Sequence, residues 1–284
     1  MPDWKRKPAG ERLEERRSPE GVIYLAFPAL ERLRLVKHAF STRIGGVSRG
    51  CCSSMNLSFT KEPENRENVL ENYARMARAI GVSPDSFVLT YQTHTTNILR
   101  VGEAQKGSGI EREREYRDID GLITNERGIT LVTFFADCIP LYFADPVKKA
   151  IGLSHSGWRG TVNKMAKVSI KRMEEEFGSS PSDIVACVGP GICRDCYEVG
   201  EEVAEAFRAG FSREDTEKIL IRKPDQKYLL DLWEANRILL LQSGVSDKNI
   251  HIGDICTHCN PELLFSHRGM GEERGNLGAF LALA

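Results

Sequence analysis

Residues 128–160 read "GITLVTFFADCIPLYFADPVKKAIGLSHSGWRG", and no other stretch limits the fold as tightly. Three runs inside it, "GITLVTFFAD", "IPLYFA" and "KAIGLSH", are short, rich in β-branched and aromatic residues, and bounded by turn signals such as Asp145-Pro146. They read as adjacent strands, the last two forming a hairpin. Cys138 and His155 lie 17 residues apart, each where a strand gives way to other structure. Two strand ends can therefore bring a thiol and an imidazole together.

The flanking sequence adds helices and more strands, so the class is α+β. In "NRENVLENYARMARAIG", Val69, Tyr73, Met76, Ala77 and Ile80 recur at helical spacing before Gly81, a residue type favoured just past a helix end. "TVNKMAKVSIKRMEEEFG" repeats the pattern with Thr161 as an expected cap and Gly178 as the stop. "GEEVAEAFRAG" and "DLWEANRILLLQSG" read as two further helices, the second opening with Asp231 and Glu234 spaced as a capping box. "SDIVACVGPGI" and "KNIHIGDI" read as strands, and "SFVLTYQTHTTNILRV" alternates around His94, which places that histidine on or beside a strand. The expected organisation is a charged N-terminal arm over residues 1–21 and one domain over 22–284. A length of 284 residues allows a second domain without requiring it.

Lys and Arg number 39 against 40 Asp and Glu, which provides no overall field to hold nucleic acid or an anionic membrane. No apolar run approaches the ~20 residues needed to span a bilayer, and "MPDWKRKPAGERLEERRSPE" lacks the apolar core of a signal peptide. A cytoplasmic protein without nucleic-acid or membrane partners is expected, its oligomeric state left open. Eight cysteines in so long a chain are too few for a disulfide scaffold.

Catalytic zinc commonly takes three protein ligands and keeps one position for water or substrate. His94, Cys138 and His155 can supply that set, and Cys138 with His155 and Asp137 or Gln92 can equally supply a cysteine hydrolase. Spacing does not separate the two. The pairs Cys193/Cys196 and Cys256/Cys259 lie too far apart for a zinc ribbon and are expected to be core or loop thiols. Arg43, Arg159, Arg268 and Arg274 sit in Gly-containing loops where a guanidinium can clamp phosphate, Arg43 and Arg159 foremost, and Trp158 can stack on a flat ring.

Taken in order, "FSTRIGGVS" with "MNLS", "QTHTTN", "DIDGLIT", "ADCIPLYFADP", "SHSGWRG", "VGPGICRDCYEVG" and "LFSHRG" resemble the YfiH or laccase-domain family over residues 22–284. The resemblance implies a single layered α/β/β/α-type sandwich of mixed sheets flanked by helices, with one zinc held by His94, Cys138 and His155. It also implies purine nucleoside phosphorylase activity on adenosine, inosine and S-methyl-5'-thioadenosine, with adenosine deaminase activity in the same site. The family's older description as a multicopper polyphenol oxidase is a poor fit to six histidines and no His-x-His pair. After "SHRG" the family continues to Thr-Gly-Arg, where this chain has Arg274-Gly275-Asn276.

On that reading phosphate is the co-substrate, oriented by zinc and Arg43, while Gln92, Trp158 and Arg159 complete the substrate-binding set. His94, Cys138, His155 and Asp137 are the expected catalytic residues, with Asp137 or Asp120 moving the proton. Two alternatives stand beside it: a cysteine-dependent amidase or deamidase acting through Cys138 and His155, and a metal- or redox-sensing module built on the C-x-x-C pairs.

Overall fold

A computed structural model describes residues 3–8, 10–60 and 65–284. Among the described residues, fifteen strands fall into three sheets. The first contains β1 (Glu14–Arg17), β2 (Ile23–Ala26), β3 (Val36–Ser41), β4 (Phe87–Leu89), β7 (Thr130–Phe135) and β15 (Leu277–Leu283), ordered β1-β2-β3-β15-β7-β4. The second contains β5 (Ile98–Arg100), β6 (Gly121–Thr124), β8 (Ile139–Asp145), β9 (Ala150–Ser156), β10 (Val185–Val188) and β14 (Ile250–Ile252), ordered β14-β10-β8-β9-β6-β5. A small antiparallel sheet joins β11 (Glu198–Val199), β13 (Tyr228–Leu230) and β12 (Leu220–Arg222).

The two large sheets pack face to face. Leu25, Phe40, Leu131, Phe135 and Leu281 from the first meet Leu122, Tyr142, Ile151 and Leu153 from the second in one buried cluster. Outside the first sheet, helix Arg66–Ile80 buries Val69, Tyr73, Met76, Ala77 and Ile80 against Phe87 and Phe280. Outside the second, helices Met165–Phe177, Glu201–Gly210 and Leu232–Gln242 close over Ile139, Leu141 and Phe143. The expected sandwich of mixed sheets flanked by helices is thus present, because β8 alternates its apolar residues between two cores rather than between core and solvent.

The helix ends follow the sequence signals. Asn65 caps Arg66–Ile80 by accepting from Asn68 N, Gly81 terminates it at φ 70°, and Asp231 accepts from Glu234 N at 3.0 Å. One expectation fails: the helical pattern from Thr161 breaks into Trp158–Val162 and Met165–Phe177, with Lys164 at φ 69° between them. Thr161 is not a cap, since its hydroxyl bonds back to Gly157 O at 2.9 Å inside the first piece.

The hairpin β8/β9 forms in the register Ile139↔Ser156 to Asp145↔Ala150. β7, however, does not continue beside it. It pairs with β15 and β4 in the other sheet, because the chain turns between layers at Asp137, whose φ is 89°. The described part of the segment expected as a charged arm lies against the body: Leu13 is buried, and the deeply placed Asp254 takes Leu13 N at 3.0 Å and the Arg6 guanidinium at 2.6 Å. A buried carboxylate needs such partners, and a charged arm can provide them.

Tyr142, fully buried between the sheets, donates its hydroxyl to Ala39 O at 3.0 Å. Tyr142→Phe is expected to lower stability by about 1–2 kcal/mol with an unchanged denaturant slope, as read by urea unfolding.

Candidate metal centre

The chain crosses between the two large sheets twice near one point. It leaves β4 in the first sheet, passes through residues 90–97 and enters β5 in the second; it later leaves β7, turns at Ala136-Asp137-Cys138 and enters β8. His94 lies in the first crossing and Cys138 in the second, while His155 faces Pro140 across the hairpin. Their ligand atoms fall within 4.8 Å of one another, with His155 buried, Cys138 half-buried and His94 exposed.

Asp120, immediately before β6, organises this cluster. Its carboxylate is fully buried, and Oδ1 meets His155 Nδ1 at 2.9 Å and takes His94 N at 3.0 Å. Oδ2 takes Thr93 N, Thr95 N and the Thr95 hydroxyl, each at 3.0 Å. Those bonds fix the loop in which His94 adopts φ 64°, and they commit His155 Nδ1 to Asp120 so that Nε2 is left for the cluster. Burial raises the Asp120 carboxyl, but the bond and charge of His155 and the two backbone amides pull it below the usual carboxylate range. A carboxylate so saturated positions its neighbours rather than moving a proton.

Burial pushes the Cys138 thiol up, yet His155 and His94 more than offset it and bring it down to about 6. Burial likewise lowers His155, while Cys138 and Asp120 raise it to about 9. Without a metal the two therefore hold a thiolate beside an imidazolium. Gly157, following His155 by two residues, makes the close approach possible: a Cβ there would lie 2.9 Å from Cys138 Sγ and 3.2 Å from His94 Cδ2.

A cavity of about 370 Å³ opens over the three donors. Phe59, Tyr91 and Phe134 provide aromatic wall, and Arg114 and Arg274 provide positive charge. Arg114 sits 4.8 Å over the Tyr91 ring and donates to Thr90 O at 2.6 Å. Arg274 bonds Asn276, which lines the same cavity. Gln92 is also in the wall, its amide pinned to both backbone groups of Phe134 at 2.9 and 2.6 Å.

Four other expected site residues lie outside this lining. Arg43 donates its guanidinium to Ser53 O at 2.9 Å and Pro261 O at 2.8 Å, tying two loops together. Trp158 and Arg159 stack on each other at 4.3 Å. Asp137 accepts the Thr257 hydroxyl and Arg268 N, both at 2.6 Å. Conversely, Arg114 and the aromatic residues Phe59, Tyr91 and Phe134 escaped sequence reasoning. Only Tyr91, adjacent to Gln92 and His94 in "YQTH", carried a local signal.

Residues 37–284 match the family model described as multi-copper polyphenol oxidoreductase laccase. A purine nucleoside phosphorylase of Bacteroides thetaiotaomicron is 38% identical over 256 residues, covering 89% of this chain and 93% of that protein. Adenosine deaminase RL5, from an unknown prokaryotic organism, is 35% identical over 255 residues, covering 87% of this chain and 95% of that protein. The crystal structure of YlmD from Geobacillus stearothermophilus superposes with a TM-score of 0.86 at 30% identity, covering 95% of this chain and 98% of that one.

Two outcomes test the geometry. Gly157→Ala is expected to weaken metal retention about 10–100-fold in a competition titration with a chelator, as displaced ligands and their supports usually do; unchanged affinity would mean that Cys138 and His94 have room to spare. In metal-stripped protein, iodoacetamide labelling of Cys138 should rise with pH around a midpoint near 6. The thiolate is the reactive form, so a midpoint close to the ordinary 9.0 would remove the ion pair.

Proposed function

The chain belongs to the multi-copper polyphenol oxidoreductase laccase family, and from that premise we propose that it is an enzyme of nucleoside metabolism. The reaction is zinc-dependent phosphorolysis of purine nucleosides, with adenosine, inosine and S-methyl-5'-thioadenosine as substrates, and deamination of adenosine in the same site. The observation that carries this reading is the cluster of His94, Cys138 and His155 under a cavity that combines aromatic wall with two guanidinium groups.

The donor set fits zinc: two imidazoles and one thiolate suit a borderline-soft cation, and the Asp120 carboxylate supports the buried imidazole from behind. When bound, zinc supplies a Lewis acid with an open position for a water or a phosphate oxygen. The remaining work belongs to the chain. Asp120 holds His94 and His155 in place. Phe59, Tyr91 and Phe134 provide an aromatic wall against which a flat purine can pack without a specific base edge.

We assign the phosphate to Arg274 with Arg114 rather than to Arg43, because Arg274 and Arg114 line the cavity while Arg43 lies outside it, held by two backbone carbonyls. Arg274 stands two residues before the position where the family carries arginine and this chain carries Asn276, and its bond to Asn276 turns that asparagine into a support. In phosphorolysis a phosphate oxygen bonds to the anomeric carbon as the bond to the purine nitrogen breaks, giving a sugar 1-phosphate and, after protonation, the free base. In deamination water replaces the amino group at C6 and ammonia leaves. Asp137 serves in this reading by tying its turn to the segments that carry Thr257 and Arg268, which sets the start of β8 and thus Cys138.

A second reading rests on one observation: Cys138, His155 and Asp120 form a thiolate–imidazolium–carboxylate triad of the kind cysteine hydrolases use, with Asp120 orienting the imidazole. Product analysis separates the two. With adenosine and phosphate, adenine and ribose 1-phosphate are expected; without phosphate, inosine and ammonia. Chelation should abolish both activities and added Zn²⁺ restore them, and Arg274→Ala should raise the KM for phosphate about tenfold or more. Full activity after chelation, lost instead on alkylation of Cys138, would select the hydrolase.

A further inference from the structure

The C-x-x-C pairs expected as separate core or loop thiols converge. The sulfurs of Cys193, Cys196, Cys256 and Cys259 all lie within 4.8 Å of one another, and all four are free thiols. We propose that they form a second metal site, a structural four-thiolate centre for a thiophilic divalent cation, zinc foremost. A tetrahedral Zn²⁺ with bonds of about 2.3 Å sets its sulfurs about 3.8 Å apart. Cys196 Sγ and Cys259 Sγ stand 3.4 Å apart, far beyond the ~2.05 Å of a disulfide. Small adjustments close a tetrahedron.

The fold builds this site from elements distant in sequence. β10 and β14 pair in parallel, Cys187 opposite His251, so the loops leaving their ends run side by side. Gly191 bridges to Cys256, and Thr257 N donates to Gly191 O at 3.2 Å. Each loop then makes a tight turn: Cys196 N bonds Cys193 O at 3.0 Å, and Asn260 N bonds Thr257 O at 3.3 Å. Cys193 N also donates to Cys256 Sγ at 3.2 Å, a bond that favours a thiolate acceptor.

Four thiolates around a divalent cation leave two negative charges, and a cation stands ready. Lys7 lies against Cys193 and bonds Asp195 at 3.1 Å. Its segment is anchored by Lys7 N to Asp254 O at 2.7 Å and by Lys5 N to Asn260 Oδ1 at 2.8 Å. Binding releases the thiol protons and changes no oxidation state. The site also reaches the first cluster: Thr257, between the two cysteines of its pair, donates to Asp137 Oδ1 at 2.6 Å, and Ile192 N bonds Asp137 O at 2.9 Å. An ion at the four sulfurs would fix the turn that presents Cys138.

Metal analysis of the full chain, prepared with zinc under reducing conditions, tests the proposal together with Cys138→Ser. About two equivalents in the native chain and one in the variant are expected, the latter with an all-sulfur shell at about 2.3 Å by zinc X-ray absorption. One equivalent in both, again all sulfur, would support the second site while sinking the zinc reading of the first. Another metal in the same shell would also support it. No metal in a folded Cys138→Ser variant, or a Cys196–Cys259 disulfide in the zinc-treated chain, would overturn it. Both proteins keep all four cysteines, so a variant that cannot fold does not blunt the result.

Discussion

The contact between the Asp120 carboxylate and His155 governs the architecture around the candidate centre. A buried, ionised carboxylate is costly unless its lone pairs are filled, and here an imidazole, three backbone amides and a hydroxyl fill them. The backbone of Asp120 is tied as well, its N–H to Asn97 O and its carbonyl to His155 N at 2.7 Å. One residue thus fixes the loop bearing His94 and the strand bearing His155. Loss of its charge would release both, and the imidazole would lose the partner that defines its free nitrogen.

A face-to-face sandwich supplies the second constraint. Side chains between the sheets pack tightly, so polar groups gather where the chain passes from one layer to the other. Both crossings near the cluster contain a non-glycine residue at positive φ, His94 at 64° and Asp137 at 89°. Such conformations cost roughly 1–3 kcal/mol and persist only where surrounding bonds over-determine them. Asp120 supplies those bonds for His94, and Thr257 with Arg268 N supplies them for Asp137.

Local signals in the sequence carried much of this. Gly81, Gly178 and Asp231 marked helix ends, and the β8/β9 hairpin followed from its apolar runs and Asp145-Pro146, which put Cys138 near His155. What stayed hidden depends on long-range pairing. The apolar run "LGAFLAL" carries no sign that it will insert between β3 and β7, and β7 gives no sign that it will leave the hairpin beside it. The convergence of the C-x-x-C pairs requires β10 and β14 to lie in parallel across some 60 intervening residues, a relation that no spacing rule contains.

The electrostatics of the cavity follow from the same placement. The chain as a whole is nearly neutral, at a formal net charge of −1, so no global field gathers anions. Within the cavity the balance differs. Among the described residues, Arg114 and Arg274 line it without a carboxylate beside them, and Asp120 is consumed by its own partners. A proposed zinc with one thiolate and two neutral imidazoles would add a net positive charge in the same space. An anion would therefore be attracted over a short range by charges gathered around one cavity, an effect that salt screens beyond about a Debye length. On the proposed reading, affinity for phosphate would depend on two side chains and one cluster rather than on overall composition, a property that a balanced net charge does not reveal.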